Sequence, residues 1–252
     1  MVLLEIKHLN KYFGGLLAIN DVDIDVQGLE ILGLIGPNGA GKTTLFNIVS
    51  GISKPSSGEI LFKGKSITGL KAYEIAQLGI GRTFQATTLF EDSTVLENVL
   101  TGFHMRYKTG TWEAFLHTRS ARNEDKTCRF KSMEILDFMG LLPLKDEMAR
   151  NLPHGYQRIL GICLALATNP TLLLLDEPAT GMHPEEVSNL ITLIKRLRDS
   201  GITMIIVEHQ MQAVMGLCDR LAVLNFGRKI AQGMPGEIRR DKEVIEAYLG
   251  TE

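Results

Sequence analysis

A glycine-rich loop between a buried strand and a helix limits the folds open to this chain more than any other feature. The segment Gly36-Pro-Asn-Gly-Ala-Gly-Lys-Thr43 follows the apolar run Glu30–Ile35, and a helix is predicted from about Lys42 to Ser50. Glycines let successive backbone N–H groups turn inward, and the helix N-terminus adds a positive dipole. Such a loop can hold a phosphate, with Lys42 supplying a charge and Thr43 a hydroxyl ligand for Mg²⁺. The candidate phosphate-binding residues are Gly36, Pro37, Asn38, Gly39, Ala40, Gly41, Lys42, Thr43 and Thr44.

Two adjacent acids follow a second apolar run. The residues 172–175 are all leucine, which predicts a strand buried on both faces, and Asp176 and Glu177 come directly after it. Sites in α/β sheets lie at the carboxyl ends of the strands, so we expect both carboxylates near the glycine loop. Asp176 is a candidate Mg²⁺ ligand acting through water, and Glu177 is the candidate general base for an attacking water. Two acids that merely end a strand are the alternative, which the nearby Lys42 loop disfavours.

The order of the predicted elements indicates the α/β class. Asp21–Val26 alternates acidic and apolar residues, which is typical of a half-exposed antiparallel strand. A mostly helical stretch then separates two regions of alternating strand and helix. This order predicts a mostly parallel sheet core with an antiparallel β subdomain and an inserted helical subdomain. With the glycine loop, it is typical of a P-loop NTPase (RecA-like) fold. We expect a single domain over residues 1–252, with its core at about 1–85 and 158–252 and the helical subdomain at about 86–157.

Short segments spread along the chain carry a resemblance to one family. Besides the glycine loop, which fits the Walker A pattern, they are Gln85 in Arg-Thr-Phe-Gln85, the segment Asn151–Gln157, Asp176-Glu177-Pro178 and His209. In these segments, from about Leu4 to Gly250, the chain resembles ABC transporter ATPases. The resemblance implies ATP and Mg²⁺ as cofactors and hydrolysis of ATP.

The same resemblance implies roles for three further side chains. Phe13 would stack on adenine, Gln85 would contact Mg²⁺ or the attacking water, and His209 would contact the γ-phosphate. A core aromatic is the alternative for Phe13, and a purely structural histidine is the alternative for His209. The placement of His209 after a predicted strand beside that of Asp176 favours the functional interpretation.

The helix that begins near Gly155 resembles the family's signature segment, through which one subunit reaches the γ-phosphate held by the other. Where the family usually has Leu-Ser-Gly-Gly-Gln, this chain has Leu152-Pro-His-Gly155-Tyr. Gly155 and the helix start are kept, so backbone N–H groups remain available, but Pro153 lacks the serine hydroxyl. His183 and Leu164 depart from the family pattern as well. These departures predict weaker hydrolysis by a homodimer.

The chain resembles the branched-chain amino acid (LivG-type) subunits at Lys11–Ala18, in the stretch Ala179–Pro184 and at the ending Val244–Gly250. The implied partners are a second copy or a homologous ATPase subunit in an ATP-dependent dimer, two integral-membrane permease subunits and, indirectly, a substrate-binding protein. The implied location is the cytoplasmic face of the inner membrane. Urea or amide importers and the lipopolysaccharide-export ATPase are alternatives, because they have a similar ending. The extra residues between Asn98 and Glu134 favour the amino acid branch, unless they are a surface insertion without specificity.

Charge and composition narrow the range of functions further. A net charge of −2 gives no electrostatic reason to expect nucleic acid as a partner. Three widely spaced cysteines show no metal-ligand spacing, and the start of the chain lacks the features of a signal peptide. No apolar run reaches the roughly 20 residues that a membrane helix needs. Two functions outside transport stay open. One is a soluble ABC ATPase acting on nucleic acid or ribosomes, and the other is a non-hydrolysing nucleotide sensor, which Glu177 disfavours.

Overall fold

The computed structural model describes residues 1–84, 89–103 and 119–249. The strands are β1 (Val2–Phe13), β2 (Leu16–Gln27), β3 (Ile31–Ile35), β4 (Ser57–Phe62), β5 (Lys65–Ser66), β6 (Ile80–Arg82), β7 (Leu172–Asp176), β8 (Thr203–Val207), β9 (Arg220–Asn225) and β10 (Arg228–Gly233). The helices are α1 (Lys42–Val49), α2 (Ala72–Leu78), α3 (Val95–Gly102), α4 (Arg119–Phe138), α5 (His154–Ala167), α6 (Pro184–Asp199), α7 (Met211–Leu217), α8 (Pro235–Ile238) and α9 (Lys242–Leu249). Short 3₁₀ turns occupy Leu142–Leu144 and Ala149–Asn151.

A six-stranded sheet forms the centre of the molecule, in the order β10-β9-β3-β8-β7-β6. Its strands run parallel except for β10, which pairs antiparallel with β9. Strands β3, β7 and β8 are buried along their whole length, as expected for parallel strands covered on both faces. The predicted mostly parallel core is therefore confirmed.

A second sheet, β2-β1-β4-β5, is antiparallel throughout. Val22, Ile24 and Val26 of β2 point into the core while the aspartates between them stay at least partly exposed, which confirms the predicted alternation. Together with α1 this sheet packs on one face of the central sheet, through Leu32 and Leu34 of β3. The antiparallel subdomain was correctly predicted.

The opposite face of the central sheet carries the larger apolar cluster. It joins alternate residues of β3 and β7, among them Ile31 and Leu173, to helices α3, α5 and α6. Helix α6 begins at Pro184 and buries Val187, Leu190, Leu193, Ile194 and Leu197. Helices α3 and α4 lie between β6 and β7 in the chain, as an inserted helical stretch would. Within the described residues, no helix combines the length and the apolar character needed to span a membrane.

Candidate active site

The glycine loop leaves β3 and enters α1 through backbone conformations that favour glycine. Gly36 has φ 149°, and a Cβ there would collide with the carbonyl oxygen of Leu224. Gly41 has φ 102°, and a Cβ there would lie 2.8 Å from the carbonyl oxygen of Ala18. Side chains at either position would push the loop away from β9 or β2. Glycine is therefore needed at both positions, because a residue with a Cβ would not fit between the loop and these strands.

Lys42 folds back over the loop that precedes it. Its Nζ donates to the carbonyl oxygens of Gly36 at 2.7 Å and Pro37 at 2.9 Å. Burial lowers the pKa of Lys42, and the carboxylates of Glu177 and Asp176 oppose that shift. The lysine ammonium therefore lies within the electrostatic reach of both acids, as the sequence predicted.

The remaining loop residues differ in their exposure. Asn38, Gly39 and Thr43 are exposed, Pro37 and Thr44 are partly buried, and Ala40 is buried. The loop is therefore open to solvent at Asn38, Gly39 and Thr43. The Thr43 hydroxyl and the carboxylate of Asp176 are hard oxygen donors of the kind that Mg²⁺ prefers, so the residues present fit this metal.

Asp176 ends β7 at the carboxyl edge of the sheet, and Glu177 follows it directly. Asp176 is 5% exposed, and its Oδ2 accepts a hydrogen bond from Arg82 Nη2 at 3.0 Å. Burial raises the pKa of Asp176, and the Arg82 guanidinium opposes the rise. Glu177 has φ 48°, a conformation that costs a non-glycine residue energy. Its backbone N–H donates to Val207 O at 2.9 Å, which ties the strained residue to the end of β8.

His209 lies beside the candidate base. Its Nδ1 is 3.8 Å from Glu177 Oε1, and its side chain is 56% exposed. The two residues come together because β7 and β8 are parallel neighbours and Asp176 pairs in register with Val207. The predicted placement on one sheet edge is confirmed, while the role of His209 stays a prediction.

Glu208 joins the two loops that carry these residues. Its carboxylate, in a residue 2% exposed, accepts from the backbone N–H of Ala179 at 2.7 Å and of His209 at 3.1 Å. The amide of Gln210 donates to the carbonyl oxygen of Ala179 at 3.1 Å. Sequence reasoning missed Glu208 and Arg82, because neither type of residue is distinctive until the strands are placed side by side.

Gly155 lies in the first turn of α5, next to the start of α6. A Cβ on Gly155 would lie 2.5 Å from Oε1 of Glu186, whose Oε2 accepts from the backbone N–H of His183 at 2.9 Å. Pro153 is the residue before α5 and makes no side-chain cap hydrogen bond. The predicted helix start is confirmed, and Gly155 is buried against this carboxylate within the single chain.

Phe13 and Gln85 differ in how far the structure describes them. Phe13 ends β1 and is 50% exposed, with Lys11 Nζ 4.8 Å from the centre of its ring. The core-aromatic alternative for Phe13 is therefore wrong. Strand β2 of the same hairpin passes beside Gly41 through Ala18, which places the hairpin next to the loop. Gln85 lies outside the described residues.

The fold and site match a known protein family. A family model described as ABC transporter matches residues 19–180. The chain belongs to this family of ABC ATPases. A second model, described as branched-chain amino acid ATP-binding cassette transporter, matches residues 228–252 of this ABC ATPase.

Relatives and solved structures cover nearly the whole ABC ATPase. LivG of Escherichia coli K12, a high-affinity branched-chain amino acid transport ATP-binding protein, is 43% identical over 98% of both chains. BraF of Pseudomonas aeruginosa, whose name has the same description, is 38% identical over 98% of both. A nucleotide-free ATP-binding cassette from an ABC transporter superimposes with a TM-score of 0.88 at 32% identity, covering 100% of each chain. An ADP-bound cassette of an ABC transporter gives the same score and identity.

Proposed function

We propose that this ABC ATPase powers the import of branched-chain amino acids through separate permease subunits in a membrane. The similarity to LivG over 98% of both chains is the observation that carries this proposal. The match of the last residues to a branched-chain amino acid transporter model supports it. The transported molecule does not need to touch this chain, so the substrate class rests on similarity alone.

The site residues suit hydrolysis by an in-line water. Backbone N–H groups of the loop and the Lys42 ammonium would bind the phosphates of ATP. Thr43 and Asp176, with Gln85, would hold Mg²⁺, which neutralises developing phosphate charge when bound. Glu177 would orient the water and take its proton, and His209 would contact the γ-phosphate. Phe13 would stack on adenine from the exposed end of its hairpin.

We propose further that the working unit is a dimer of ATPase subunits, either two copies or this chain with a homologue. The N-terminal turn of α5, at Gly155, would face the γ-phosphate bound by the other subunit. Glu186, which lies against Gly155 in the single chain, would have to make room for that phosphate. ATP would therefore close the dimer, and hydrolysis would reopen it.

A groove between α2, β6 and α5 is our candidate for the permease contact. It encloses about 420 Å³ and is lined largely by apolar residues, among them Tyr73, Phe84, Leu89 and Leu164. Tyr73 and Phe84 are half exposed, at 52% and 50%. An amphipathic helix of the permease would bury these side chains on docking. Asp176 also lines the groove, so a docked helix would lie close to the active site.

Reconstitution tests this function directly. The chain would be co-expressed with the permease and binding-protein genes of its own locus, purified from the membrane and placed in liposomes. We expect ATP-dependent uptake of leucine, isoleucine or valine that is lost with Glu177→Gln. Uptake of urea or short amides instead, or release of lipopolysaccharide, would assign the chain to one of the alternative systems. Recovery of the chain only with ribosomes or nucleic acid would contradict transport altogether.

A paired substitution tests the groove. Tyr73→Glu should abolish co-purification with the permease while leaving basal ATP hydrolysis within about twofold, because it places a charge in an apolar contact. Leu78→Glu is the matched control, since Leu78 belongs to the same helix, is 43% exposed and does not line the groove. Equal loss with both variants would mean that α2 as a whole is disturbed and would contradict the assignment of the groove.

A further inference from the structure

Arg82 connects the candidate metal carboxylate to the helix that follows the phosphate loop. It is the last residue of β6, and its side chain is 7% exposed. Its Nη2 donates to Asp176 Oδ2 at 3.0 Å. Its Nη1 donates to Asn47 Oδ1 at 2.8 Å and Ser50 Oγ at 2.9 Å, both at the end of α1. One guanidinium thus bonds to the element that carries Asp176 and to the element that carries Thr43.

Two aromatic rings hold this guanidinium in place. Its central carbon lies 5.5 Å from the ring centre of Phe46 and 5.0 Å from that of Phe84. Phe46 is buried in α1, whereas Phe84 is half exposed in the groove beside β6. A planar guanidinium suits such stacking together with forked hydrogen bonds, and a lysine ammonium does not. The site is therefore built for an arginine rather than for any positive charge.

The arrangement leaves part of Asp176 available for a metal. Thr83 Oγ1 accepts from the backbone N–H of Asp176 at 3.2 Å, and Arg82 occupies Oδ2. Among the described residues, Oδ1 of Asp176 accepts no hydrogen bond. Partners of this kind fix the orientation of a metal-binding side chain. A buried ion pair by itself adds little net stability, so stability alone does not explain the pair.

We propose that Arg82 is a positioning residue that holds Asp176 and α1 in the relative placement that binding of Mg²⁺ with ATP requires. The proposal rests on the function proposed above for Asp176 and Thr43. Arg82 does not touch nucleotide or metal in it. Its contribution is to keep one carboxylate oxygen directed at the site and to keep the distance between β7 and the start of α1 constant.

This proposal is tested by the gain in ATP affinity from Mg²⁺. The gain is the dissociation constant of ATP in EDTA divided by that in Mg²⁺. The dissociation constant of ATP would be measured by calorimetry in excess EDTA and in excess Mg²⁺, for the full chain and for Arg82→Lys. We expect the gain from Mg²⁺ to fall about tenfold in Arg82→Lys, with metal-free ATP affinity within about twofold of wild type. An unchanged gain, or an equal loss of affinity in both buffers, would overturn the proposal.

A double-mutant cycle with Asp176→Asn shows whether Arg82 acts through that carboxylate. Because the two residues are in contact, Arg82→Lys should lower the gain by less once Asp176→Asn is present, and what loss remains should come from its contacts with α1. Fully additive losses would overturn the proposal. If Asp176→Asn alone leaves the gain from Mg²⁺ intact, the metal role of Asp176 fails and the Arg82 proposal falls with it. If only Arg82→Lys is without effect, the metal role of Asp176 stands.

Two further variants distinguish the proposed role of Arg82 from a general disturbance of the fold. Asn47→Ala removes one anchor on α1 and leaves the ion pair, so it should give a smaller loss of the same gain, and no loss would count against the proposal. Arg220→Lys is the matched control, since Arg220 pairs with Asp25 and Glu30 away from the loop and should leave the gain from Mg²⁺ unchanged. If Arg220→Lys lowered the gain from Mg²⁺ as much as Arg82→Lys does, the proposal would be overturned, because disturbing any arginine ion pair would then lower it.

Discussion

Glu177 combines a strained backbone with the position expected of a general base. Its Oε2 accepts from Thr180 Oγ1 at 3.3 Å, and His209 Nδ1 lies 3.8 Å from its Oε1. Glu177→Gln keeps the shape of the side chain but cannot accept the proton of an attacking water. We expect ATP turnover to fall about 10²–10⁴-fold while the affinity for ATP in EDTA stays within about threefold. Steady-state phosphate release and calorimetry measure the two quantities, and turnover at the wild-type rate would show that another group is the base.

The residues of the site differ in how far the sequence predicts them. Lys42, Asp176 and Glu177 follow from local patterns, because a loop or a strand end places each one directly. Arg82 and Glu208 are buried polar residues whose partners lie far away in the chain, so no spacing along the sequence indicates them. Their contacts exist only after β6, β7 and β8 have paired. Sequence patterns therefore predict the residues proposed to bind phosphate, and the structure was needed to find the buried polar residues that contact them.

Helix α5 begins without a side-chain cap, since Pro153 occupies the capping position. Pro153→Ser would supply an oxygen for the free N–H groups of the first turn, a change worth about 1 kcal/mol. It would also restore a hydroxyl donor at the proposed contact with the partner's γ-phosphate. We expect a higher melting temperature and a several-fold higher rate of ATP hydrolysis by the isolated protein. Pro153→Ala separates the effects, because it lacks the hydroxyl, and an equal rate in both variants would show that the hydroxyl is dispensable.

The two sheets are joined by a charged contact as well as by apolar packing. Arg220 of β9 donates to both carboxylate oxygens of Asp25 on β2, at 3.1 and 3.2 Å. These hydrogen bonds lower the pKa of Asp25 to about 2 from 3.8. A depressed pKa in the folded state stabilises the protein above the unfolded pKa, and the stabilisation is lost as the pH falls towards the folded value. The contact therefore stabilises the fold from neutral pH down to about pH 4 and progressively less below it.

Asp25→Asn should reveal this pH dependence. We expect a loss of about 1 kcal/mol in the free energy of unfolding at pH 7, a figure already reduced because the Asp25 side chain is 43% exposed. The difference from wild type should be constant from pH 7 to 5 and shrink below about pH 4. Urea unfolding at each pH measures it, with the exposed Asp146→Asn as the control. A difference that widens in acid would contradict the assignment.

Elements with a strong local pattern were predicted well, and short ones were not. β3, β7 and α6 are continuous apolar runs or clear helical stripes, so their placement followed from the sequence. β6 has three residues and β10 is only partly buried, so both lack a period that a sequence pattern can detect. The predicted boundary of the helical subdomain at residue 158 falls inside α5, which runs from His154 to Ala167. The division of the chain into a core and a helical subdomain stays a prediction, because a helix can continue across a subdomain boundary.

At the scale of the whole molecule, the site is open on the side that faces away from the core. Asn38, Gly39 and Thr43 are exposed, and so are Phe13 and His209. A nucleotide bound there would remain in contact with water, and in-line hydrolysis requires that the reacting water be held. Gly155, in the first turn of α5 of the same chain, is not open in this way, because it is buried against Glu186. A second subunit that brings its own α5 is the simplest way to close the site.

This view predicts an ATP-dependent dimer that hydrolysis normally disperses. The Glu177→Gln chain, which holds ATP without cleaving it, should elute as a dimer with ATP and Mg²⁺ and as a monomer without nucleotide, when light scattering follows size exclusion. Adding Lys42→Ala should abolish the dimer, because the phosphates are no longer held and nothing bridges the subunits. Gly155→Asp should also abolish the dimer while leaving the monomer able to bind ATP. It adds bulk and a negative charge where the start of α5 would face the γ-phosphate bound by the other subunit. A Glu177→Gln chain that stays monomeric with ATP and the homologous subunit present would contradict the shared site.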